Sequence, residues 1–85
     1  MQLEFSPKAN EHLGFWIKSG NKAILKKITE LIEAALDNPY QGIGKPEALK
    51  HDLSGCWSRR IDKEHRFVYQ IVDNRLLILS LKGHY

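Results

Sequence analysis

The sequence predicts an α+β fold: a twisted, mainly antiparallel sheet with one face packed on a helical hairpin, in the order β-α-α-β-β-β. Three observations point there. Residues 7–37 repeat apolar side chains at the period of a helix, interrupted once at Ser19-Gly20. From residue 56 onward the pattern changes to short runs rich in β-branched and aromatic residues, separated by turn signals. A chain of 85 residues supports one modest core, so residues 1–85 are expected to form a single domain.

Each element has a local reason. Leu3 to Phe5 reads as a short first strand. Ser6-Pro7 then starts a helix, serine capping free amides and proline lacking the N–H that would be unpaired there. Ala9, Leu13, Trp16 and Ile17 share its apolar face. Asn21 caps a second helix, whose stripe is Ile24, Ile28, Leu31, Ile32, Ala35 and Leu36. Asn38-Pro39 stops it, because proline drives the preceding residue out of helical geometry. Residues 40–50 read as a loop, with Gly42 and Gly44 letting the chain turn toward the sheet. Three strands follow: Cys56 to Ile61, His65 to Val72 and Leu76 to Leu81. Asp62-Lys63-Glu64 joins the first two; Asp73-Asn74 is a hairpin turn of two residues that tolerate positive φ.

Alternation sorts the strand side chains. Phe67, Tyr69 and Ile71 face the core, leaving Arg66, Val68 and Gln70 on the open face. Trp57 and Ile61 are expected inward, which puts Arg60 on the open face beside Arg66.

Charge narrows the partners. Residues 1–44 carry five lysines and five acids, whereas residues 45–85 carry eight Lys/Arg and five acids. The excess in the second half fits a polyanion, nucleic acid first. A lone Cys56 permits no internal disulfide, and with no signal-like N-terminus the expected compartment is a reducing cytoplasm. No stretch approaches the ~20 apolar residues of a membrane span. The histidines lack metal-ligand spacing, so neither a metal nor another cofactor is expected. Gly42-x-Gly44-Lys45 lacks the spacing of a phosphate-binding loop and follows a helix rather than a strand. No nucleophile elbow is present.

The remaining chemistry is a carboxylate at Glu47, cations at Lys50, Arg59, Arg60 and Arg66, an imidazole at His51, and a titratable tail, His84-Tyr85. A base, an acid and an anion clamp can cleave a phosphodiester.

These residues carry a family resemblance. The run Gly44-Lys45-Pro46-Glu47-Ala48-Leu49-Lys50-His51, then Leu53-Ser54-Gly55-Cys56-Trp57-Ser58-Arg59-Arg60-Ile61, then Glu64-His65-Arg66-Phe67-Val68-Tyr69 and the terminal His84-Tyr85 closely resemble YoeB toxins of the RelE/ParE toxin–antitoxin superfamily. The resemblance spans essentially the whole chain. It implies a RelE-like fold and a ribosome-dependent endonuclease that cuts messenger RNA in the A site. It also implies a YefM-like antitoxin and a homodimer as partners. By motif position it makes Glu47 the general base, Arg66 the phosphate-stabilising residue and His84 the general acid, with Lys50, Arg60 and Tyr85 supporting substrate binding. The chain departs from the family at Lys82-Gly83, where glycine is expected to loosen the placement of His84. Two other readings fit parts of the sequence: a noncatalytic ParE-like gyrase poison, and a small basic RNA-binding module.

Overall fold

A computed structural model describes residues 1–84. Its elements run β1 (Gln2–Phe5), α1 (Pro7–Ser19), α2 (Lys22–Asp37), β2 (Glu47–Ala48), a single 3-10 turn (His51–Leu53), β3 (Trp57–Arg60), β4 (Arg66–Val72) and β5 (Arg75–Ser80). The sheet order is β1-β5-β4-β3-β2, with β1 parallel to β5 and the other pairs antiparallel. The α+β class holds, with one strand more than expected. The extra strand, β2, lies in what the sequence reads as a loop, because two residues are too few to show a period. Among the described residues no helix is long and apolar enough to cross a membrane.

The caps form as their residue types dictate. Ser6 Oγ accepts the Ala9 amide at 3.0 Å and donates to the Leu79 carbonyl at 3.1 Å, tying the start of α1 to β5. Asn21 Oδ1 accepts the Ile24 amide at 3.1 Å. Gly20 ends α1 at φ 71°, a left-handed conformation that glycine takes without steric cost. Asp73 and Asn74, at φ 49° and 60°, form the β4–β5 hairpin turn.

The main core lies between the helices and one sheet face. Ala9, Trp16, Ile24, Ile28, Leu31 and Ala35 meet Ile61, Phe67, Tyr69, Leu76, Ile78 and Leu81 there. Phe67 and Tyr69 stack with ring centres 4.9 Å apart. One expected core residue is absent from it: Ile17 is 60% exposed. It sits at the edge of the α1 stripe in the last turn, while His12, on the opposite flank, is half-buried against the C-terminal segment.

The other face is less open than the alternation suggests. Leu49, Cys56 and Val68, with Leu53 and Leu79 beside them, form a second small cluster across its centre. Cys56 is a packing residue there, and burial pushes its thiol pKa up.

A register shift between Val68 and Tyr69 decides where the tail goes. Tyr69 opposes Ile78, yet Val68 opposes Ser80, so Leu79 is the extra residue of a bulge. The bulge resets the alternation, and Leu81 turns inward and is fully buried.

Candidate active site

Register brings the expected residues together. Glu47 lies opposite Ser58, Ser58 opposite Val68, and Val68 opposite Ser80. Opposed residues share a face, so this row crosses the sheet on the side away from the helices. Arg60 and Arg66 oppose each other two residues further along, on the same face. With strands about 4.8 Å apart and a rise of about 3.4 Å per residue, the Glu47 and Arg66 backbones lie roughly 12 Å apart. Glu47 thus stands on an edge strand, not in a loop, which fixes its direction through pairing to β3.

Two depressions mark this face. One, about 370 Å³, contains Glu47, Lys50 and His51; the other, about 430 Å³, contains Ser80, Lys82 and His84; Leu53 lines both. Leu53 is the ridge between the carboxylate and the imidazole. Tyr85, expected beside His84, lies outside the described residues.

The tail is held by its main chain. The Arg66 amide donates to the Gly83 carbonyl at 3.0 Å, and the Gly83 amide donates to His65 Nδ1 at 2.8 Å. Trp16 Nε1 donates to the Leu81 carbonyl at 2.9 Å, and the Leu81 amide donates to His12 Nδ1 at 3.0 Å. His65 packs edge-on against Trp16, ring centres 4.8 Å apart. Gly83 itself is anchored. Its two backbone groups are both paired, and its φ of 79° turns the chain toward the open face.

Arg66 is oriented by the β3–β4 turn. Its Nη1 donates to the carbonyls of Asp62 (2.8 Å), His65 (3.2 Å) and Lys63 (3.3 Å). Its Nε and Nη2 make no hydrogen bond within the described residues, so a bidentate edge suited to phosphate oxygens is left to the face. The turn is braced by Asp62, whose Oδ1 accepts the amides of His65 (2.7 Å) and Glu64 (2.9 Å). Desolvation works against the Asp62 carboxylate, but those amides and the charges of His65 and Arg66 outweigh it and lower its pKa.

A buried arginine, a candidate cation to which the sequence assigns no role, supports the whole edge. Arg59 is fully buried. Its Nη2 donates to the carbonyls of Asn38 (2.6 Å) and Gln41 (3.0 Å), its Nη1 to that of Ile43 (3.1 Å), and its Nε to Tyr69 Oη (3.0 Å). Tyr69 Oη in turn donates to the Pro39 carbonyl at 2.5 Å. Burial raises the Tyr69 pKa despite the adjacent guanidinium. This fork fastens the loop 38–44 that leads into Glu47. Arg59 shares a strand side with Trp57 and Ile61, so its inward direction is visible in the sequence; its acceptors, 16 to 21 residues upstream, are not.

His12 and His65 are absent from the expected site, and alternation carries part of the signal. His65 precedes Arg66, so it falls on the helix side of the sheet. His12 must keep Nδ1 unprotonated to accept the Leu81 amide. Burial lowers its pKa from 6.5, Lys8 and Lys82 lower it further, and Glu11 opposes them. The unfolded chain therefore takes up this proton before the folded one, and stability should decline as pH falls through 6.5 toward the folded value. Thermal melts between about pH 7.5 and pH 5 should show that decline. His12→Asn, whose amide oxygen accepts without titrating, should flatten it; an unchanged pH slope in the variant would remove His12 from this role.

Among the described residues no group of three or more His, Cys, Asp or Glu is placed to hold a metal ion. The face offers a carboxylate and an imidazole in depressions that share Leu53, and a guanidinium edge on the same side of the sheet. That set can take a proton, give one and hold an anion between them.

Comparison with known proteins adds a family. A family model described as the YoeB-like toxin of bacterial type II toxin-antitoxin system matches residues 5–85. The chain is 53% identical to a YoeB toxin of Synechocystis over 85 residues, 100% of this chain and 98% of the relative. A solved YoeB/ParE toxin from Agrobacterium tumefaciens superposes with a TM-score of 0.96 at 39% identity, covering 100% of both chains. YoeB from Staphylococcus aureus, solved in a heterotetrameric complex with the antitoxin YefM, gives 0.88 at 44% identity, covering 100% of this chain and 98% of that one. The same toxin solved as a dimer gives 0.89, with the same identity and coverage.

Proposed function

Because the chain belongs to the YoeB-like toxins of bacterial type II toxin–antitoxin systems, we propose that it arrests translation as an endoribonuclease that cuts message in the ribosomal A site. The observation that carries this reading is the shared sheet face of Glu47, Arg66 and His84. In the proposed reaction the Glu47 carboxylate takes the proton of a ribose 2′-hydroxyl. The 2′-oxygen attacks the adjacent phosphorus as the bond to the 5′-oxygen breaks. His84 gives its proton to that leaving oxygen. The Nε–Nη2 edge of Arg66, with Arg60 and Lys50, meets the charge that grows on the non-bridging oxygens. The products are a 2′,3′-cyclic phosphate and a 5′-hydroxyl. DNA, lacking the 2′-hydroxyl, is not cut. Tyr85 follows His84 directly and is assigned to substrate binding by the family pattern.

The Staphylococcus complex supports a YefM-like antitoxin as the neutralising partner, and the dimer structure supports self-association. A reaction on ribosomes places the working protein in the cytoplasm. The test is to add purified protein to translating ribosomes and map the message ends. New 5′-hydroxyl ends within the A-site codon are expected. Intact message, with gyrase–DNA cleavage complexes trapped instead, would overturn the reading in favour of a gyrase poison.

A further inference from the structure

A third depression, about 330 Å³, lies where the end of β3 meets α2 and the loop before β2. Lys27, Lys45, Arg60 and Lys63 line it, against a single carboxylate, Asp62. That carboxylate is already engaged, accepting the amides of Glu64 and His65 beside the Arg66 charge. None of the four cations has an ion-pair partner or a side-chain hydrogen bond among the described residues. Four cations against one carboxylate leave a net repulsion, so the backbone must hold them there.

It does so at two residues. Gly44, at φ 84°, gives its carbonyl to the Arg60 amide at 2.7 Å. A Cβ on Gly44 would sit 2.7 Å from Leu31 Cδ2 and 3.0 Å from Arg59 Cβ, so only glycine lets the loop approach α2 and β3 this closely. Lys45 itself is left-handed, at φ 52°, a conformation costly for a residue with a side chain. Three separate segments are thereby fixed around one hollow.

We propose that this depression binds a backbone phosphate of RNA, one step along the strand from the phosphate held by Arg66. Arg60 links the two positions, since it lines the depression and opposes Arg66 across β3–β4. The identification of the ligand as substrate RNA rests on the ribonuclease reading. Lysine ammoniums act as point charges and suit a phosphate whose orientation is not fixed. Acidic peptide motifs are read by clusters of arginine forks, whereas three of the four cations here are lysines. The one large apolar residue lining this hollow, Ile61, is buried.

The experiment is a binding titration with a single-stranded 2′-O-methyl RNA decamer, uncleavable because the attacking hydroxyl is blocked, followed by anisotropy across a range of KCl concentrations. Lys27→Ala/Lys63→Ala should bind about tenfold more weakly at low salt. Its slope of log affinity against log salt should be shallower by about 0.7, one phosphate contact on a single strand. Lys18→Ala/Lys22→Ala removes the same charge elsewhere and should leave that slope unchanged. The first variant should melt no lower than the parent, because it relieves repulsion. Parental affinity and slope in Lys27→Ala/Lys63→Ala would overturn the proposal. So would an equal loss in the control variant. A loss of poly-glutamate binding with RNA binding intact would also overturn it, marking the hollow as a docking point for acidic protein. The titration needs no cleavage, so its outcome stands apart from any failure of the ribonuclease reading.

Discussion

Glu47→Gln and His84→Gln should each slow the cleavage of ribosome-bound message by at least ~100-fold, the lower end of what a positioned proton-transfer group contributes. Both residues are exposed, so neither substitution should change the melting temperature by more than a degree or two. Each amide keeps the size of the group it replaces and loses its proton chemistry. The double variant should fall well short of the product of the two single losses, because base and acid serve one displacement. Single-turnover assays on stalled ribosomes separate the chemical step from binding. Near-parental rates in both variants would remove Glu47 and His84 from the mechanism and leave the shared face without a catalytic purpose.

Arg59→Met should destabilise the fold by about 3–5 kcal/mol, the cost of leaving several buried acceptors without their charged donor. The substitution fills much of the volume, so packing loss is the smaller effect. A domain of this size has roughly 4–13 kcal/mol of stability in all, so this one change takes a large share of it. The melting temperature should fall by at least ~12 °C. Arg59→Lys should rescue little. One ammonium keeps the charge but cannot span the carbonyls of Asn38, Gln41 and Ile43 and the Tyr69 hydroxyl together. A melting temperature within a few degrees of parental for either variant would show that the loop 38–44 is held by something other than this fork.

Arg59 and Arg66 mark how far the sequence could be read. Arg66 sits in a strand whose alternation is plain; the strand of Arg59 is harder to orient, and its inward direction follows only from placing Trp57 and Ile61 inward. Why Arg59 is tolerated inside the core does not follow, because its acceptors are main-chain carbonyls and carry no residue-type signal. Arg66 takes backbone carbonyls of the β3–β4 turn rather than its acidic side chains, and Asp62 turns its carboxylate to amides. The β2 strand was illegible for a related reason: its hydrogen bonds belong to β3, and two residues have no pattern of their own.

Local chemistry determined the helices, their caps, the hairpin turn and the two faces of each long strand. These depend on side-chain size, backbone preference and period, all of which are properties of neighbouring residues. The motif residues carried the family and the roles expected of Glu47, Arg66 and His84. What only the folded chain decided is how those three reach one surface. A bulge at Leu79 re-phases β5, Gly83 is held between Arg66 and His65, and an edge strand forms on pairing. Apart from the His65 ring, these contacts join main-chain groups of separate segments, and main-chain groups are the same in every residue, so the sequence does not advertise them.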